Sequence, residues 1–255
     1  MSFTLVLVFM LIVIFILAVM VAFIIKKSSQ HKSQEFIENE RQQMRDSLLK
    51  KRKKLSPHTA DLYKKVTDAM IFETEDAVTY LKTSGFIYSE QQKPLIAFER
   101  IERGMYEKGH IIAFTKKQEF LFEFHGSEVI FYVDGELLGR LDKKGQLADS
   151  HEQIIGKATH PLHTTFGINF YKRSHTRTNE GLFPLIMNGR KLASISVAPN
   201  YGEIGQRITV SDVFDTLEFG TPIISLLDTP NAIEEKWLLA FAIFETVFHG
   251  KKLIP

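Results

Sequence analysis

Hydrophobic and polar positions divide the chain into stretches with different periods. Residues 3–25, "FTLVLVFMLIVIFILAVMVAFII", are apolar throughout except for Thr4. A helix of that length, at about 1.5 Å per residue, spans the ~30 Å hydrocarbon layer of a bilayer. The rival reading is a cleaved secretory peptide, which needs a basic start, a shorter apolar core and small residues at its cleavage site. No Lys or Arg precedes this run, and Val19, Met20 and Phe23 crowd its end. The pattern predicts an uncleaved transmembrane anchor over residues 1–25.

The next stretch, residues 26–54, is polar and charged. Phe36, Ile37, Met44, Leu48 and Leu49 form one narrow apolar stripe at loosely helical spacing. Such a stripe predicts a solvated stalk helix, with a weak self-association seam as the alternative. Residues 55–93 carry two sets of helix signals. Ser56 and Pro57 suit a helix start, followed by Leu62, Val66, Ala69 and Met70 on one side. Thr74 as cap, Glu75 and Asp76 in a first turn and Gly85 as a stop suggest a second helix. The expectation is a short helical neck.

From Pro94 onward the pattern becomes strand-like. Residues 95–101, 110–115, 119–126, 164–172, 203–212 and 214–220 are short runs rich in aromatic and β-branched residues. Two further runs, "EVIFYVDGELLGRL" at 128–141 and "LFPLIMNGRKLASISV" at 182–197, each contain an Asx-Gly pair between strand-like halves. Asp134-Gly135 and Asn188-Gly189 suit the type I′ turn of a two-residue hairpin. The two hairpins align residue for residue from Val133 onto Met187, about 54 positions apart, as a weak internal repeat. Roughly nine or ten strands follow one another without a βαβ alternation. An antiparallel barrel or sandwich over residues 94–255 is the predicted class.

The last stretch, "EEKWLLAFAIFETVFHG" at 234–250, is apolar on every side. Its uninterrupted core is too short to cross a bilayer, and a surface helix would show a polar face. Trp237, Leu238, Leu239, Phe241, Ile243 and Phe244 therefore predict a central helix enclosed by protein. Asn231 or Pro230 opens it, and Glu234 and Glu235 suit its positive end.

Charge and composition narrow the classes. The net charge of +2 excludes an electrostatic nucleic-acid binder, and the expected second neck helix carries few basic or amide side chains to read base edges. There is no cysteine, which excludes disulfides, thiolate metal sites and a cysteine nucleophile. Lys26, Lys27 and Lys32 follow the apolar run directly. Basic residues mark the cytoplasmic side, so the expected topology is single-pass in the cell (plasma) membrane, N-terminus outside, with the C-terminal domain cytoplasmic. Lys50, Lys51, Arg52, Lys53 and Lys54 make the densest charge in the chain. This juxtamembrane cluster suits anionic headgroups if the stalk folds back, and a solvated helix end otherwise.

Paired hairpins such as "YVDGELLGRL" and "IMNGRKLASI", followed by the apolar helix "EKWLLAFAIF", resemble the tubby C-terminal-like superfamily of tubby domains, phospholipid scramblases and LURP-one-related proteins. The resemblance covers residues 94–255 and suggests a membrane-anchored member of bacterial type. It implies an antiparallel β-barrel closed around a hydrophobic C-terminal helix. It also implies phosphoinositide headgroup binding through basic side chains on the barrel surface. Lys172, Arg173 and Arg177, with Arg190 and Lys191, are the nearest candidates here. Scramblases carry cysteine-rich features that this chain lacks, so scrambling is not carried over.

His151, His160 and His163 lack the carboxylates or thiolates that would complete a zinc site, and no metal or cofactor is expected. Glu245 and His249 stand four apart on the last helix. No phosphate loop or nucleophile elbow is present. The leading expectation is a non-enzymatic cytosolic barrel that binds membrane lipid headgroups or a membrane partner. Alternatives are a protein-interaction scaffold acting through stalk and neck, and an enzyme with a site near residues 160–177.

Overall fold

The computed structural model describes residues 10, 12–17, 19–20, 34–57, 59, 61–77, 80–103, 108–125, 128–158, 182–196, 220, 222–249 and 251–252. Residues 10, 12–17 and 19–20 are helical, with their large apolar side chains exposed. Most of the expected anchor lies outside the described residues. Among the described residues no helix is long and apolar enough to cross a membrane.

The body is one antiparallel meander. Helix α1 (Gln34–Arg52) and the single turn α2 (Leu62–Lys65) precede it. The first strands are β1 (Ala69–Ala77), β2 (Tyr80–Tyr88), β3 (Pro94–Arg103), β4 (Lys108–Phe114) and β5 (Glu119–His125). They continue as β6 (Glu128–Val133), β7 (Glu136–Leu141), β8 (Gln146–Asp149) and β9 (Ile154–Ala158). After β10 (Leu182–Met187), β11 (Arg190–Ser196) and β12 (Ile224–Leu226) comes helix α3 (Ala232–His249), then β13 (Lys251–Lys252). Each strand from β1 to β12 pairs with its sequence neighbour, and β13 adds to β1 in parallel.

Turn chemistry explains the meander. Asp134 and Gly135 have φ of 53° and 82°, and Asn188 and Gly189 have 51° and 77°. These are the positive angles of a type I′ turn. Three further hairpins share a different closure. In residues 89–93, 142–146 and 149–153 the first residue accepts from the fourth amide and donates to the fifth carbonyl, and Gln92, Gly145 and Glu152 take positive φ. The Asp142 carboxylate accepts from the Lys144 and Gln146 amides, and Asp149 does the same for His151 and Gln153. An Asp side chain that mimics a backbone turn favours this geometry.

The internal repeat extends to fine detail. In the first hairpin Leu138 is the extra residue of a bulge between the pairs Phe131–Gly139 and Tyr132–Leu137. In the second, Leu192 holds the same place between Leu185–Ala193 and Ile186–Lys191. The Asp134 amide donates to Glu119 O at 2.8 Å, and the Asn188 amide to Ile155 O at 2.7 Å. Turn, bulge and the bond to the preceding strand all recur.

The core is built on α3. Residues 237–247 are all buried. Phe122, Phe131 and Trp237 pack with Phe241 and Phe244 at ring separations of 5.1–6.0 Å. Burial on all sides is what an all-round apolar helix requires. Asn231 caps it: its Oδ1 accepts from the Ile233 and Glu234 amides at 3.0 Å. The Glu234 carboxylate accepts from the Asn231 amide at 2.8 Å, completing a reciprocal capping pair.

Two expectations fail. The neck at 55–93 is not helical beyond α2; residues 69–88 form the β1–β2 hairpin. The local cap signals lose to pairing on β3, because β-branched and aromatic side chains fit a pleated surface. Gly85 is no helix stop, since a β-carbon there would strike Ile71 O and Phe72. The stalk is likewise not solvated, because α1 lies on the sheet. Met44 and Leu48 are buried against Ala97, Ile101, Ile112 and Phe114. The strand count is also higher than the sequence suggests, with thirteen among the described residues. The expected strands at 164–172 and 203–212 lie outside them, as does the one at 214–220 apart from Gly220, which is not in a strand.

Candidate functional site

The outer face of β3–β5 and helix α1 form a seam with an apolar centre and ionic flanks. Alternation on β4 sends Ile111 and Ala113 to the α3 core, and Ile112 and Phe114 to α1. Around this centre Arg103 grips the Glu40 carboxylate with both terminal nitrogens, one at 2.6 Å. Arg41 pairs with Glu123, and Arg45 with Glu119 at 2.8 Å. Burial pushes the His110 imidazole down to about 4, although Glu40 Oε2 stands 3.4 Å from its Nε2 and opposes the shift.

The seam fixes the polarity of the body. The first turns of α1 meet Arg103, His110 and Glu123, near the edge where β3 ends and β4 begins. Its last turn meets Phe114 and Lys116 near the opposite edge. The helix is about 28 Å long at 1.5 Å per residue. Gln34, where α1 begins, therefore lies at one edge, called here the near edge, and the cluster Lys50–Lys54 lies at the far edge.

Two members of the Lys50–Lys54 cluster are engaged within the chain. Lys51 is half-buried, bonds Ser84 Oγ at 2.5 Å and stands 5.8 Å from the Phe86 ring. Burial lowers its pKa. Arg52 Nε donates to Lys116 O at 3.1 Å, and its guanidinium covers the Phe114 ring at 5.2 Å. Lys53 and Lys54 are exposed, and Lys50 is exposed on the last turn of α1.

The other basic candidates divide between the two edges. Arg190 and Lys191 follow the 188–189 turn at the far edge. Arg190 is held within the chain: it pairs with Asp228 and with Glu234, each at 2.6 Å, and donates to Thr229 O at 3.1 Å. Asn188 Nδ2 also donates to Glu234 at 3.0 Å. The second hairpin thus clamps the start of α3. Lys191 is exposed. Lys172, Arg173 and Arg177 lie outside the described residues, in the connection between β9 and β10.

His160 and His163 also lie outside the described residues, whereas His151 is exposed in the β8–β9 turn. Among the described residues no three His, Asp or Glu side chains converge as a metal site. Glu245 is buried on α3. Trp237, Leu238, Leu239, Phe241, Ile243 and Phe244 are all buried and form the core rather than a ligand site.

Sequence reasoning passed over four exposed lysines at the near edge: Lys108, Lys143, Lys144 and Lys157. "DKKGQ" at 142–146 was a readable turn signal. Only the strand register brings it beside Lys108 and Lys157. No family model, curated protein or solved structure matches the chain.

Proposed function

We propose that the chain is a membrane-anchored, non-enzymatic binding module whose cytoplasmic β body recognises lipid headgroups or another component at the membrane. Residues 3–25 supply the anchor, and Lys26, Lys27 and Lys32 hold its following end inside. The observation that carries the reading is the docking of α1 along the sheet. Eight residues separate position 25 from Gln34 and reach at most about 28 Å. The apolar run therefore brings the near edge of the body within about 28 Å of the bilayer, rather than leaving the body on a free stalk.

In this reading the sheet closes into a barrel around α3, as in the tubby C-terminal-like superfamily. Three features support closure. Residues 237–247 are buried on all sides. Thr67 and Pro222 form an antiparallel bridge between the segments leading into β1 and β12. The Ile223 amide donates to Val66 O at 3.1 Å.

The alternative is a protein-interaction scaffold acting through stalk and neck, of which the first includes α1, packed on the sheet, and the second the β1–β2 strand pair. Lys172, Arg173 and Arg177 remain the headgroup candidates inherited from the resemblance. The test is flotation of the full chain with carbonate-washed membranes, followed by protease treatment of sealed vesicles from each side. Retention in the membrane with digestion only from the cytoplasmic face supports the reading. Release by carbonate would sink it.

A further inference from the structure

We propose that the near edge of the sheet, from β4 to β9, is a cationic rim that lies on the anionic headgroups of the bilayer holding residues 3–25; the proposal rests on the anchor reading above. Lys108 opens β4, Lys143 and Lys144 occupy the β7–β8 turn, and Lys157 lies near the end of β9; all four are exposed. The register places them on one edge. Lys108 faces His125, His125 faces Glu128, Val129 faces Leu141, and Gln146 faces Lys157. With strands about 4.8 Å apart, the row is roughly 24 Å long.

Among the described residues of β4–β9 the acids on this edge are weakly opposed to the lysines, and Glu35 and Glu38 stand exposed beside them on the first turns of α1. Glu128 lies 3.7 Å from Lys143, with both side chains about half exposed, and such pairs are weak. The Asp142 carboxylate is turned onto the amides of its own loop at 2.8 Å. On the far edge β6–β12 and the start of α3 carry exposed Asp134, Glu136, Glu152, Asp228 and Lys191, while exposed Lys50, Lys53, Lys54, Lys116 and Lys117 gather where α1 ends and β4 turns into β5. On that edge Arg140 pairs with Glu152, and Arg190 with Asp228. Both edges thus carry basic side chains, and it is the position of Gln34, where α1 begins, that selects the near edge for the bilayer.

The rim also has an apolar neighbour suited to an interface. Phe36, in the first turn of α1, is 42% exposed and stacks on the Arg103 guanidinium at 5.5 Å. Lysine ammoniums on flexible stems suit hydrated headgroups. The attraction decays over about 8 Å at physiological salt. Contact therefore requires the short tether that residues 26–33 provide, and the far-edge cluster at 50–54 lies beyond that range.

The chain has no cysteine, so Gln146→Cys at the near edge and Glu136→Cys at the far edge each offer a single labelling point. Each full-length variant is reconstituted into nanodiscs of phosphatidylcholine, alone or with phosphatidylserine, carrying a headgroup acceptor dye. Energy transfer from position 146 should exceed that from 136 several-fold in anionic discs and fall at high salt. Reversing Lys108, Lys143, Lys144 and Lys157 to Glu should abolish the salt-sensitive part. The milder pair Lys143→Gln and Lys144→Gln, which leaves the turn amides unchanged, should halve it. Equal transfer from both positions, or transfer indifferent to these substitutions, would overturn the rim while leaving the anchor standing. Loss of the chain from the discs would overturn both.

Discussion

Trp237 Cζ2 lies 2.9 Å from where a β-carbon on Gly139 would stand. The same β-carbon would strike Ala148 O, and Gly139 has φ of +151°. In the internal repeat Gly139 corresponds to Ala193, which is buried opposite Leu185. The two hairpins thus share turn and bulge but differ where the indole of α3 presses on the sheet. Gly139→Ala should cost about 3 kcal/mol through overpacking and backbone strain. Gly135→Ala, which meets open space at φ +82°, should cost only about 1 kcal/mol. Thermal melting of the two variants in detergent checks the ranking, and equal losses would remove the packing argument.

Glu234 is 1% exposed and accepts from Asn188, Arg190 and the Asn231 amide. Glu234→Ala removes the carboxylate that ties the second hairpin to the start of α3. The expected loss is about 3 kcal/mol, because three donors lose one shared, buried and charged acceptor. Asn231→Ala, which removes only the cap, should cost about 1 kcal/mol. Denaturant titration separates the two, and a cap variant as damaging as Glu234→Ala would contradict this assignment.

Leu48 is fully buried between α1 and the outer face of β3 and β4. Leu48→Ala should cost about 3 kcal/mol in cavity and transfer terms. The penalty should fall on the docking of α1, since α3 packs on the other face. Hydrogen exchange should accelerate in residues 34–52 while residues 237–247 keep their protection. Uniform loss of protection would mean that seam and core unfold as one unit.

His110 lies beneath α1 with its pKa pushed down to about 4 by burial, against the pull of Glu40 and with Arg41 and Arg103 adding to the depression. Between pH 6.5 and about 4 the unfolded chain takes up a proton at this site that the folded chain refuses. Stability should therefore rise with pH through that window and fall on acidification, by about 3 kcal/mol near pH 4. His110→Gln has no proton to take up and should flatten this part of the profile. An unchanged slope in the variant would place the titration elsewhere.

Much of the architecture is local and was legible from the order of residues. Asp134-Gly135 and Asn188-Gly189 dictate their turns, because positive φ at two successive positions is cheap for few other pairs. The recurrence of the two hairpins could be read from spacing, and the structure extends it to the bulges at Leu138 and Leu192. The all-round apolar surface of residues 237–244 demands burial whatever surrounds it. The fate of residues 26–93 was not local. The stripe of Met44 and Leu48 finds a face only once β4 sends Ile112 and Phe114 outward, and Gly85 is a close-approach residue only beside β1. The turns, the strand-forming body and the buried helix each follow from the chemistry of neighbouring residues. The clamping of α1 to the sheet, the service of Arg190 to α3 and the shared edge of Lys108, Lys143, Lys144 and Lys157 exist only in the folded chain. Those relations join residues tens of positions apart, and strand register rather than any local preference sets them.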